Sequence, residues 1–408
     1  MDNKLEDIGK SLFSIIGFLE STQRKNRILK EDDKSHYLEK LIQEPSEGIQ
    51  EYWELISKIK SHAIIKDKAS NDTIVAEIQP LLNIIENREE IKKLSPEKAG
   101  KEIISSLKNK ISQYLVIFPL EGLLPGSDSL SIGNAKFGIF QNLLKYFKIP
   151  ELLSAESGKL HKENGDSISE IISLEEKTYL NMICGGTEVR ACDRIAAALL
   201  ARKKINSVLN FIRLQIPLYY GFSKRPKLSI VEASKISKAF VISKINGRRE
   251  FPIFDFSGNF PTVFSLGNGR YKTDRALVKA NKIFCKDPSN RSDLEVRVIN
   301  ASDWIGEGID EFENDMKIVK CVVGLEVLFR IKEHKQEGFI NSVNELFWSY
   351  TKEKENLREK TLRIYRLRSS IVHQGKRNIT NNDAELTERI ASGCMLKAFE
   401  MLDNFPFE

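Results

Sequence analysis

Apolar residues recur at three- and four-residue intervals over the first 110 positions, a spacing that gathers them on one side of a helix. Leu12, Phe13, Ile15, Ile16 and Leu19 form one stripe. Tyr52, Leu55, Ile56 and Ile59 form a second, and Ile74, Ile78, Leu81, Leu82 and Ile85 a third. Polar breaks around 44–46 and 68–71 separate these helices. Ser95-Pro96-Glu97 reads as a helix start, a capping hydroxyl followed by proline at the first helical position.

Between 111 and 290 the pattern changes. Residues 114–118 are a β-branched and aromatic run, and strands are also expected over 130–140 and 178–183, the latter closed by Gly185-Gly186. Residues 189–214 predict a long helix. Residues 239–245 and 248–254 flank Asn246-Gly247, the dipeptide that suits a two-residue hairpin turn. Gly267-Asn268-Gly269 reads as a turn, since no helix with phosphate-cradling spacing follows it. From 293 onward helical spacing returns, with helices expected over 315–329, 337–350, 353–374 and 384–402. The fold class is therefore α+β and predominantly α-helical. A helical region (1–110) and an α+β region (111–290) precede a helical bundle (291–408).

Composition narrows the function classes. Of 408 residues, 41% are hydrophobic and 29% charged, the balance of an ordinary globular chain. The longest apolar runs, 114–120 and 195–201, fall far short of the roughly 20 residues of a membrane span. The expectation is a soluble, cytoplasmic protein without a membrane partner. The five cysteines (Cys184, Cys192, Cys285, Cys321 and Cys394) have no zinc-site spacing and read as buried thiols in a reducing compartment. No metal or cofactor is expected. His36 and His62 each stand alone and read as solvated or core-edge histidines.

The net charge of +6 matters for where it lies. Between Thr351 and Arg377, nine basic residues face three acidic ones, an excess equal to that of the whole chain. A one-signed surplus suits a phosphate backbone, whereas a solvated helix face with pairs such as Glu359 and Arg363 is the plainer reading. Lys244, Arg248 and Arg249 at the Asn-Gly hairpin read as a solvated turn. On a helical projection Ile364, Tyr365, Ile371 and Val372 all lie within about 60° of Arg368, so this arginine projects from an apolar face. Arginine is rare there unless paired or functional. Arg366 and His373 share a different face, within about 20° of each other. Arg368 and His373 diverge by about 140°. They can serve one phosphate only if the helix bends or ends near His373, or if two copies meet. Gly375 makes an early ending plausible.

The segment from Tyr365 to Gly375, with Arg368, Ser369, His373 and Gly375 in sequence, resembles the signature of HEPN domains, above all the Apea-like branch. The upstream helices, with Trp304 and then Glu326 in a Leu-Glu-x-Leu position, resemble the pair that precedes that signature. The resemblance covers roughly 293–402, extends weakly into 111–290 and leaves 1–110 uncovered. It implies a metal-independent endoribonuclease with Arg368 and His373 as catalytic residues. Ser369, Glu326 and Arg366 would support them, and Arg363, Lys376 and Arg377 would hold RNA. It further implies a homodimer with a composite site, a role in anti-phage defence or toxin-like growth arrest, and an unknown trigger or inhibitor.

The chemistry is consistent with those residue types. RNA carries its own nucleophile, the 2′-hydroxyl, so the protein must supply proton transfer and a cation for the developing phosphorane charge. Histidine exchanges protons near neutral pH, and arginine offers a planar, permanently charged fork. Alternatives remain open for each residue. His373 could cap the helix C-terminus, Arg368 could be a structural partner of Glu326, and Arg366 could replace Arg368 through a six-residue spacing. Trp304 and Tyr365 read as core aromatics. The rival functions are a non-catalytic HEPN module that binds RNA or nucleotide or docks a partner protein, and a helical scaffold.

Overall fold

The computed structural model describes residues 2–25, 47–83, 85–125, 130–148, 183–220, 225–230, 274–331, 335–347 and 354–407. It also describes short strands at 232–233, 236–237, 240–243, 249–250 and 264–266. The chain is predominantly helical, with a small sheet. Two compact units result: 1–115 with 189–200 and 241–249, and 116–188 with 201–240 and 250–408. Residues 116–188 and 201–240 thus belong to the same unit as the C-terminal helices.

In the first unit, α1 (Asp2–Lys25), α2 (Glu47–Ser61), α3 (Asn71–Asn83), α4 (Ile85–Lys92) and α5 (Pro96–Asn109) realise the three apolar stripes. Leu12, Ile16, Leu55, Ile59, Ile74 and Ile78 are fully buried together with Leu107. The Ser95 hydroxyl accepts from the Lys98 N–H at 3.4 Å, so α5 begins where its cap dictates. α1 and α5 touch backbone to backbone, and a Cβ on Gly9 would lie 1.7 Å from the Pro96 carbonyl oxygen. His62 is buried in the core rather than at its edge, and burial, with Lys4 nearby, pushes its pKa down. His36 lies outside the described residues.

Among the strands, β1 (Ser112–Glu121), β2 (Leu123–Pro125), β3 (Leu130–Ile132) and β4 (Ala135–Ile139) come first, of which β2 stands outside the main sheet. They are followed by α6 (Phe140–Tyr146) and β5 (Ile183–Ala191). The run expected as one strand over 130–140 is an antiparallel pair, Leu130 opposite Phe137, that ends in a helix. The next strand also departs from expectation: the described strand runs through Gly185 and Gly186 instead of stopping at them. Both glycines pack inside the sheet, where a Cβ on Gly185 would meet the Phe137 ring at 3.1 Å. Residues 178–182 lie outside the described residues. Consequently the following helix, α7 (Arg194–Arg213), starts later than 189. Asp193 caps it by accepting from the Ala196 N–H at 2.8 Å.

After α8 (Ile216–Tyr219) come six short strands: β6 (Ser229–Ile230), β7 (Glu232–Ala233), β8 (Ile236–Ser237), β9 (Phe240–Ser243), β10 (Arg249–Glu250) and β11 (Phe264–Leu266). The main sheet has the order β10-β9-β1-β5-β4-β3, with β6 antiparallel on the end of β1. β9 and β10 are neighbours, as the hairpin pattern requires. Asn246-Gly247 with Lys244 and Arg248, and the 267–269 turn, lie outside the described residues.

The C-terminal bundle comprises α9 (Arg275–Cys285), α10 (Asp293–Asp310), α11 (Asn314–Phe329), α12 (Lys335–Phe347), α13 (Lys354–Gln374) and α14 (Asn381–Glu400). Ser292 and Glu295 form a reciprocal capping box at the start of α10. α10 and α11 approach closely, since a Cβ on Gly324 would lie 2.5 Å from Ile305 Cγ1. α14 lies at the centre of the bundle, in contact with α8 to α13, and buries Ala384, Ala391, Cys394, Met395, Ala398 and Phe399. Its one fully buried charge, Glu388, pairs with Arg225 and, at 3.3 Å, with Lys317. Arg213 donates to the Leu228 carbonyl and pairs with Asp310 at 2.9 Å. Residues 225–230 are thereby tied to the helices at one end and to β1 at the other. Among the cysteines Cys285 is exposed and the other four are buried. Trp304 is 42% exposed, contrary to its reading as a core residue: Ala301, Ile305 and Gly308 take the packed side of α10 and turn it outward.

Candidate functional site

α13 carries most of the residues singled out in the sequence. Its composition is rich in Leu, Arg, Lys and Glu and lacks Gly and Pro over 21 residues, which favours an uninterrupted helix. It ends at Gly375, whose φ of +66° is the left-handed conformation that glycine adopts without strain. The Gly375 N–H donates to the Ile371 carbonyl at 3.1 Å and the Lys376 N–H to that of Ser370 at 3.3 Å. The helix therefore stops one residue past His373 and is unbroken between Arg368 and His373.

The inner side of α13 holds it in the bundle. Thr361 and Ile364 are buried, and the Tyr365 ring lies 5.3 Å from that of Phe339 on α12. Arg368 Nη2 pairs with Glu326 Oε2 on α11 at 3.1 Å, both side chains being about one-fifth exposed. The sequence left this pairing as an alternative role for Arg368, and the structure makes it. Burial, with Glu326 alongside, raises the Tyr365 pKa. Asn314, at the other end of α11, donates to the Ile379 carbonyl at 3.2 Å and to Asn381 Oδ1 at 2.8 Å. α11 and α13 are thus antiparallel, and the turn after His373 is pinned to the start of α11. Ile371 is half-buried and Val372 is 50% exposed, so Arg368's apolar face opens to the surface toward His373.

The outer side is different in kind. Arg366 and His373 are both exposed. Glu359, Leu362, Arg363, Arg366, Leu367, Ser370 and Lys376 line a shallow depression of about 420 Å³. Measured around the helix axis from Arg366, Ser370 and His373 fall within about 40° and Arg368 about 160° away. The charges are not equivalent. Arg363 pairs with the buried Asp383 of α14 at 2.6 Å, and Arg358 donates to Asn341 Oδ1 at 3.3 Å. Arg366, Lys376 and Arg377 carry no ion pair among the described residues. Ser369 is half-buried beside Arg368.

One chain therefore groups Glu326, Arg368 and Tyr365 on one side of α13, and Arg366, Ser370 and His373 on the other. Arg368 and His373 do not converge within a single copy. Sequence reasoning missed Asp383, which sets the Arg363 side chain. A helix-start signal, Thr380 three residues before it, was the available clue. Among the described residues no group of three or more His, Cys, Asp and Glu is placed to hold a metal, and no helix is long and apolar enough to cross a membrane.

The sequence matches no protein-family model, and neither a curated protein nor a solved structure is similar to it. The functional reading rests on the site.

Proposed function

We propose that this chain is a HEPN-type endoribonuclease that cuts RNA without a metal ion, its site assembled where two copies meet. The observation that carries the reading is His373: an exposed imidazole at the end of a helix, on the same helix face as Arg366 and just before Lys376 and Arg377, three exposed cations without an ion pair among the described residues. The helix dipole favours cations at this C-terminal end by only about 0.3–1 kcal/mol each, and a one-signed group of this size gains more from an anion that offsets it.

In the proposed reaction the 2′-oxygen bonds to phosphorus and the P–O5′ bond breaks. The 2′ proton is lost and the 5′-oxygen gains one, leaving a 2′,3′-cyclic phosphate and a 5′-hydroxyl. His373 handles proton transfer, and Arg368, oriented by Glu326, stabilises the phosphorane. The angle between them on an unbroken helix supports a two-fold partner that brings His373 of one copy to Arg368 of the other. The half-open apolar side chains Ile371 and Val372, next to Arg368, give that partner a surface to cover. A trigger would act through the remainder of the chain, and regulated growth arrest in the cytoplasm is the cellular setting that fits.

One observation favours the second reading, a non-catalytic RNA-binding HEPN module. Arg368 already has a carboxylate partner, as a purely structural arginine would. Purified protein incubated with single-stranded RNA in excess EDTA separates the two. Cleavage to cyclic-phosphate ends is expected to persist undiminished in chelator. Binding without cleavage, or cleavage that stops in EDTA and returns with Mg²⁺, would refute the proposed mechanism.

A further inference from the structure

We infer that the depression on the outer face of α13 is a subsite for the phosphodiester next to the scissile one, held by Arg366, Ser370 and Lys376. The inference rests on the nuclease reading for the word scissile, but the site itself is an anion site on its own geometry. Three features define it. The first is the pair of cations without an ion pair among the described residues, Arg366 and Lys376, that line one concavity. The second is the Ser370 hydroxyl between them, a donor one helical turn from His373, about 4.5 Å along the axis. The third is what bounds the concavity. Glu359 lies about 10 Å beyond Arg366 along α13 and repels a further phosphate. Arg363 is offset by Asp383, so the depression presents charge for a single phosphate, not a long track.

Arg366 itself lies about 10 Å from His373 along the helix, too far to share its phosphate and close enough to reach the neighbouring one. Leu362 and Leu367 wall the depression and offer apolar contact to a ribose or base without reading its identity. The ligand class is thus the phosphodiester backbone of single-stranded RNA. The site holds the strand in place and leaves its sequence unread.

The test is binding of a non-cleavable 2′-O-methyl oligouridine hexamer by the full chain, followed by fluorescence anisotropy across a salt series. Arg366→Ala and Lys376→Ala are each expected to weaken binding about three- to tenfold and to lower the salt slope by about 1. Arg358→Ala removes another exposed charge of the same helix that does not line the depression, and a clearly smaller change is expected. Unchanged affinity and slope in both Arg366→Ala and Lys376→Ala would overturn the subsite. Equal losses in all three variants would also overturn it, since they would show diffuse attraction. Because the probe cannot be cut, these results stand whether or not the wild-type protein proves to be a nuclease.

Discussion

His373→Ala and Arg368→Ala are each expected to reduce RNA cleavage by at least two orders of magnitude while leaving the helical content intact. Removing a positioned proton-transfer group costs about 10²–10⁴ in rate, and removing a donor that stabilises transition-state charge costs about 10²–10³. Neither residue is deep in the bundle. His373 is exposed, and Arg368 is partly open, so the changes leave no large cavity. Glu326→Gln distinguishes orientation from charge. It retains a hydrogen-bond acceptor for Arg368 but weakens the hold, and kcat is expected to fall by less than in Arg368→Ala. Rates measured on a fluorescent oligonucleotide, with circular dichroism on each variant, check the set. Wild-type rates in folded His373→Ala would show that His373 is not the proton-transfer group.

The second large effect concerns stability. Glu388→Ala is expected to destabilise the second unit by about 3–5 kcal/mol, because it removes a fully buried carboxylate that pairs with both Arg225 and Lys317. Glu388 is fully buried and the two cations are nearly so. The attraction within such a group barely exceeds its desolvation cost, but removing one sign of charge from a buried group is expensive. By contrast, Glu6→Ala, which opens the exposed pair with Lys10, is expected to leave unfolding unchanged. Urea denaturation of both variants compares them directly. A wild-type midpoint for Glu388→Ala would mean that other contacts anchor residues 225–230.

The two effects differ in how much of them could be read from sequence. The helices follow from local signals: the stripes of the first unit, Ser95 with Pro96, Ser292 with Glu295, and Gly375 closing α13. Each is decided within a few residues, by periodicity or capping, so it survives without knowledge of the fold. The pairing of Arg368 with Glu326 could be posed from sequence as one alternative, because both residues fall on stretches that the apolar spacing marks as helical. What escaped depends on distant chain. Gly185 and Gly186 look like a strand end until Phe137, Leu120, Phe147 and Ile117 are seen to occupy the space a side chain would need. Trp304 looks like core until α10 is found to turn that face outward. The pairs of Glu388 with Arg225 and of Arg363 with Asp383 join residues 163 and 20 positions apart, and nothing in a charge count separates them from solvated lysines and glutamates. That is why the basic residues between Thr351 and Arg377 are not equivalent in the fold: Arg363 and Arg368 pair with carboxylates, whereas Arg366, Lys376 and Arg377 carry no ion pair among the described residues.

Mixing the two inactive variants tests the composite site most directly. His373→Ala and Arg368→Ala chains are combined at equal concentration, dissociated and re-associated, and assayed on RNA in EDTA. If His373 of one copy works with Arg368 of the other, half of the dimers are mixed, and each has one intact and one doubly damaged site. Activity should then return to roughly a quarter of the wild-type level. A mixture as inactive as its components, with exchange of chains verified by a tag, would contradict an active site shared between two copies.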